Sequence, residues 1–232
     1  MRKIKFVTGE YYHIYNRGVD KRDIFVDEGD YVRFLAGLRD FNNNSTHDQR
    51  IYIKNRMMKT ELSSDASELS SVNDPRSFIM SLPNLVDIIC YCLNPNHFHL
   101  LLKQLTDKGI EKFMHKLGSG YTNFFNVKYK RSGSLFQGSF KAVAINSDED
   151  LLWVSTYVNA NNQIHGLINN ASQYKWCSYP EYLNLDNKNF CQKDIILSQF
   201  KDKEHYIKAV NDCIVTMKEK KELQKYLIEN GH

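Results

Sequence analysis

At 232 residues, 42% of them hydrophobic and 12% aromatic, the chain can bury one large core and carry an appendage. A net charge of +4 excludes any argument for nucleic acid from the total alone, and five cysteines, an odd number, exclude a simple disulfide framework. The basic start MRKIKFVTGEYYH holds no apolar leader core and no stretch approaches a membrane span, which predicts a soluble cytoplasmic protein with no membrane partner.

In chain order, Glu10 to Asn16 alternates and is rich in β-formers, predicting a first strand that ends near Gly18. Phe25, Tyr31, Phe34, Leu35 and Leu38 fall near helical spacing and predict a helix over Asp27 to Leu38. Asn42 to Pro83 is polar and Ser/Asn-rich, which predicts an insertion or a flap. Leu85 to Leu93 and Phe98 to Lys103 read as two strands, and the short Asn94-Pro95-Asn96 turn predicts an antiparallel hairpin. Cys90 and Cys92 lie in this apolar run as buried strand residues. The alternative is half of a zinc site, for which no second pair is present.

Ile110 to Lys128 follows as a long helix, with Gly118 and Gly120 allowing a kink or a close approach. Ser134 to Ile145 is a fourth strand, and Asp148 to about Gln163 a helix capped by Ser147 or Asp148. The order β-α-insertion-β-β-α-β-α predicts an α+β fold: a ferredoxin-like antiparallel sheet with helices on one face. Residues 1–182 form the main domain in this reading, and 183–232 a helical C-terminal appendage.

The sharpest local feature is His97-Phe98-His99. On a strand, residues two apart share a face, so both imidazoles point one way. Two readings stand here: a two-point clamp for a divalent metal on a rigid element, or satisfied core histidines. Tyr157 and Asn161, four apart, share a face of the last helix. If that face packs over the histidines, Asn161 would offer a carbonyl oxygen and Tyr157 a phenol, and an Asn/His/His set with open positions suits Mg²⁺ or Mn²⁺. Gln163 and His165 compete with Asn161 as the third ligand.

Five segments, in order, are YYHIYNRGVDKRDIF, NPNHFHLLLK, RSGSLFQGSFKA, YVNANNQIHGL and KWCSYPEY. Over residues 10–182 this combination resembles the single-tyrosine HUH transposases of the REP-associated type. There the second piece typically reads MPNHFHLLL, the third R-G-LWQ-RFK and the fourth Y-I-x-x-N-P-V-x-x-G. The chain departs from these patterns at Asn94, Phe136, Asn162 and Gln163. The resemblance implies a metal-dependent endonuclease and strand transferase acting on single-stranded DNA next to hairpin repeats. It implies His97, His99 and Asn161 as ligands of Mg²⁺ or Mn²⁺ and Tyr157 as the nucleophile of a 5′-phosphotyrosine intermediate, in a monomer or homodimer.

Residues 103–141 interleave eight Lys/Arg with seven aromatics, a combination that grips single strands through phosphates and stacked bases. The expected DNA contacts are Lys128, Lys130, Arg131, Gln137 and Lys141, with Arg17 at the end of the first strand. The ordinary reading makes Phe113, Phe124 and Phe125 core, and Lys108 to Lys116 a solvated face. Two other functions compete: a hairpin-DNA-binding regulator of the same fold that does not cut, and a metal-dependent hydrolase unrelated to DNA.

Overall fold

The computed structural model describes residues 4–45, 82–185 and 190–230, with side chains as far as 221. In β1, Tyr11–Arg17, the side chains of Tyr12, Ile14 and Asn16 are buried while Tyr11, His13 and Tyr15 are half-buried, the period of two expected of a strand. The chain then enters α1, Glu28–Asp40, through a capping box. The Asp27 carboxylate accepts from the Asp30 N–H at 3.1 Å, and the Asp30 carboxylate accepts from the Asp27 N–H at 3.3 Å.

β2, Val86–Asn94, and β3, His97–Gln104, form the predicted antiparallel hairpin across Pro95 and Asn96. α2 spans Gly109–Lys128, β4 Lys141–Ile145 and α3 Asp148–Ile164, the last capped by Ser147, whose hydroxyl accepts from the Asp150 N–H at 3.1 Å. Two single turns, α4 (Tyr179–Tyr182) and α5 (Asp194–Leu197), precede the long α6, Lys203–Asn230. The strand order is β2-β3-β1-β4 with every pairing antiparallel, the order of a ferredoxin-like sheet. No helix among the described residues is long and apolar enough to cross a membrane.

Two expectations need correction. The strand predicted from Ser134 begins only at Lys141, because Gly138 within that span takes a φ of +71°, outside the strand region. Phe136 keeps one isolated bridge to Gly18. The helices also cover both faces of the sheet, not one. α1 and α2 lie on the face bearing Phe98, whose ring is 5.1 Å from Phe34, while α3 lies on the opposite face, with Tyr157 5.7 Å from His99. The physical reason is that β2 and β3 are buried along nearly their whole length, and a strand apolar on both sides needs cover on both. α6 backs α3: Asn159 Nδ2 donates to Tyr206 Oη at 2.7 Å, and Tyr206, Val210 and Cys213 are buried.

The polar insertion predicted over 42–83 lies mostly outside the described residues. At its junction, Asn42 Nδ2 donates to Val86 O at 2.8 Å and Asn42 Oδ1 accepts from Leu85 N and Val86 N at 3.1 and 3.0 Å. The end of α1 is thereby fastened to the start of β2.

Of the two glycines in the middle of α2, Gly118 and Gly120, the second serves a close approach. A Cβ there would meet the Phe41 ring at 2.8 Å, whereas at Gly118 nothing lies within 4 Å. Gly118→Ala is expected to stabilise the fold by about 0.5–1 kcal/mol through reduced backbone entropy. Gly120→Ala is expected to destabilise it by about 1–3 kcal/mol through overpacking. Urea denaturation of the two variants measures both.

Candidate active site

β1 and β3 pair with Tyr15 opposite His99 and His13 opposite Leu101. The alternation that sends Phe98 towards α1 sends His97 and His99 towards α3, and from β1 it sends His13 and Tyr15 to the same side. His13 Nε2 lies 2.8 Å from His99 Nδ1. Tyr157 of α3 stands over this pair, its ring 6.1 Å from His13 and 5.7 Å from His99, edge-on to both. One turn further along α3, Asn161 is fully buried.

The β2–β3 turn completes the arrangement. Asn96 Oδ1 can only accept, so His97 donates its Nδ1–H to it at 2.6 Å. His97 Nε2 is then a lone-pair nitrogen, and it accepts from Asn94 Nδ2 at 2.8 Å. The same Asn94 Nδ2 donates to Asn161 Oδ1 at 2.6 Å. Two acceptors, from β3 and α3, thus converge on one electropositive amide. Asn161 Nδ2 is buried without a hydrogen-bond partner.

The rings are held neutral. Burial presses His13 down to about 4 from its ordinary 6.5. His97 is lowered by burial, against the opposing Asn161 amide, and further lowered by Lys221 and Arg17. His99 falls well below its ordinary value through burial and the neighbouring rings of His13, His97 and His165. His165 drops to about 4 through burial, then Lys221 and His97. Burial raises the Tyr157 phenol, with the Asn161 amide opposing. Tyr157 is therefore a weaker nucleophile than a free phenol unless positive charge is brought to the reaction.

The two rivals of Asn161 separate. Gln163 Oε1 accepts from Ala171 N at 2.8 Å and so serves the loop after α3. His165 stays at the site, its ring 5.3 Å from His97, with its Nδ1 2.9 Å from Lys221 Nζ of α6. Among the described residues no group of three or more His, Cys, Asp or Glu could hold a metal, so a cation on this face needs a ligand of another type. Cys90 and Cys92 are buried free thiols.

A cleft of about 930 Å³ opens over the site and is lined by Arg17, Gln137, Lys141 and Tyr157 together with both histidines. Arg17 Nε donates to Gln137 Oε1 across its mouth. A groove of about 1400 Å³ adjoins it, sharing Tyr15, Asn16, Phe98 and Lys141 and lined along α2 by Ser119, Thr122, Asn123 and Asn126.

The remaining expected DNA contacts lie elsewhere. Lys128 Nζ is held 2.6 Å from Asp27 Oδ1 and 2.7 Å from Asp30 Oδ1, so its charge serves the start of α1. Arg131 donates to Asn126 Oδ1 at 2.8 Å and to Ser134 O at 3.1 Å, shaping its own loop. Lys130 is exposed, and none of the three lines the cleft or the groove.

Four residues at the site were not singled out from the sequence. His13 and Tyr15 carried a readable signal, since they alternate on the predicted first strand. Asn94 was read only as a turn residue. Lys221 lies 56 residues beyond His165 and nothing local marks it.

Residues 81–161 match the family model described as IS200-like transposases. No curated protein matches the chain. Among solved structures, the chain is similar to a REP-associated tyrosine transposase bound to a REP hairpin, at 11% identity and a TM-score of 0.49, covering 84% of this chain and 89% of that one. It is also similar to tRNA(His) guanylyltransferase from Saccharomyces cerevisiae, at 12% identity and a TM-score of 0.31, covering 89% of this chain and 79% of that one. Both likenesses are too distant to speak for function. The family match spans β2 to α3 and with them His97, His99, Tyr157 and Asn161, and in this segment the chain is similar to the IS200-like transposases.

Proposed function

We propose that the protein cuts and rejoins single-stranded DNA beside hairpin-forming repeats, with Tyr157 as nucleophile and Mg²⁺ or Mn²⁺ held by His97, His99 and Asn161. The observation that carries this reading is the convergence of His97 Nε2 and Asn161 Oδ1 on a single amide of Asn94, beside the Tyr157 phenol. Lone pairs from two elements aimed at one point are the donor set of a cation, and Asn94 Nδ2 supplies the positive end of a dipole there. His165 is the poorer third ligand, because Lys221 donating to its Nδ1 leaves the ring proton on Nε2.

When bound, the cation would polarise the phosphodiester oxygens and leave its charge uncancelled by the neutral ligands. Tyr157 Oη attacks the scissile phosphorus and gives up its phenolic proton. The bond from phosphorus to the 3′ oxygen breaks, and that oxygen leaves as a hydroxyl after taking up a proton. The 5′ phosphate remains on Tyr157, so the cut strand is tethered and its bond energy is retained for rejoining by another 3′-hydroxyl. Holding the phenol over the buried imidazoles is the contribution of α3, which fixes the approach before the strand arrives.

The cleft and the adjoining groove give the strand its path. Arg17 and Lys141 provide phosphate contacts at the cleft, and Tyr15 offers a ring for stacking where the two spaces meet. Ser119, Thr122, Asn123 and Asn126 present uncharged hydrogen-bonding groups, which serve phosphate oxygens and base edges alike. The hairpin follows from the sequence resemblance, carried by the ordered motifs of residues 10–182.

Tyr157→Phe is expected to abolish covalent attachment to a labelled hairpin-flanked single strand while leaving its binding affinity within a few-fold. Attachment that survives in this variant overturns the assignment, and a wild-type protein that binds with Mn²⁺ yet never attaches is the non-cleaving regulator. In single-strand binding titrated against salt, Lys141→Ala is expected to reduce the slope by about one unit. Lys128→Met should leave that slope unchanged, its charge being already matched by Asp27 and Asp30.

The depressed histidines give a pH signature. Between about pH 4 and about pH 6.5 the unfolded chain binds more protons at these rings than the folded one, so stability is lost as pH falls through that window. The urea midpoint should therefore drop between about pH 7.5 and about pH 5, above the range where carboxylates titrate. Mn²⁺ should raise the midpoint, and by more at the higher pH, because ligand imidazoles must be unprotonated.

A further inference from the structure

The two histidines of β3 differ in what holds their outer nitrogen. His97 gives its Nδ1–H to Asn96 Oδ1, at 2.6 Å, and turns Nε2 inward as an acceptor. His99 has the same nitrogen, Nδ1, 2.8 Å from a side chain of the neighbouring strand, His13 Nε2. His13 sits diagonally from His99 across the β1–β3 pairing, and its ring lies 5.1 Å from the His99 ring, nearly parallel at 21°. Tyr15 at 5.2 Å and Tyr157 at 6.1 Å pack around His13 and limit its rotation.

We propose that His13 is a positioning residue: its Nε2 accepts the Nδ1–H of His99, which fixes His99 in the tautomer whose Nε2 lone pair is free for a cation. This inference rests on the proposed metal-dependent site and adds a residue to it that touches neither metal nor DNA. An imidazole ligand is oriented, and its tautomer chosen, by the group that its other nitrogen meets. Asn96 fills that role for His97, and among the described residues the partner of His99 Nδ1 is His13 Nε2. His13 fills it from the adjacent strand.

The opposite arrangement, with His13 Nε2–H donating to His99 Nδ1, would place the His99 proton on Nε2. That nitrogen could then bind no cation without losing a proton. The two tautomers thus make opposite statements about the site, and they are distinguishable in the protein without metal.

The first measurement is ¹⁵N–¹H correlation of the imidazoles in the full chain, without metal, at neutral pH. His99 is expected as the Nδ1–H tautomer, like His97, and finding its proton on Nε2 overturns the proposal. The second compares Mn²⁺ affinity by calorimetry. His13→Phe keeps the ring and removes the acceptor, and is expected to weaken Mn²⁺ binding about 10–100-fold. His13→Gln returns an acceptor near the position of Nε2 and should restore affinity to within a few-fold of wild type. Affinity unchanged in His13→Phe, or equally lost in both variants, also overturns the proposal. Should the wild-type chain bind no Mn²⁺, the metal-dependent reading fails by itself, and the tautomer measurement still decides the role of His13.

Discussion

The antiparallel register between β1 and β3 is the constraint on which the rest of this molecule depends. It fixes which side chains of the two central strands share a face. Because side chains alternate along a strand, a slip of one residue would turn His97 and His99 into the layer occupied by Phe34 and Tyr121, and would bring Phe98 under α3. The large apolar side chains packed on both sides of β3 make such a slip costly. The packing that stabilises the sheet therefore also holds the histidines against the helix carrying Tyr157 and Asn161.

The site is built from neutral groups in a chain with many charges. Four imidazoles, three asparagine amides and a phenol meet in a region where burial disfavours ionisation of every titratable member. His97 Nε2 and Asn161 Oδ1 face one another there across a neutral amide, that of Asn94. Lys221 is directed at His165 and at Ile164 O. Arg17 and Lys141 bring positive charge to the lining of the cleft.

Much of this was legible in the sequence where it depended on local spacing. His97 and His99, two apart on a strand, and Tyr157 and Asn161, four apart on a helix, needed only the periods of the two elements to be grouped. The strand order followed from the succession of elements and the short Pro95-Asn96 turn. What escaped depended on contacts distant in the chain. His13 meets His99 86 residues away, and Lys128 meets Asp27 101 residues away. Lys128 stands among cations in sequence, which hid two carboxylates on α1 that neutralise it in space. The apolar run from Val86 to Leu102 held the sign of a sheet covered on both faces, since one-sided cover would have left polar residues at alternate positions. The fourth strand is shorter than the β-formers Leu135 and Phe136 suggest, because Gly138 turns the backbone out of the strand region.

The Asn42 clamp has an evolutionary consequence. With one side chain the end of α1 is joined to the first backbone groups of β2, so the chain departs and returns at a single fastened point. The entropy of closing a loop across such a point grows only with the logarithm of its length, about 0.6 kcal/mol for each doubling. Sequence can be gained or lost between these anchors with little effect on the sheet. A change of length between the two anchors therefore leaves the register beneath α3 to its own determinants, the pairings of β1 and β3.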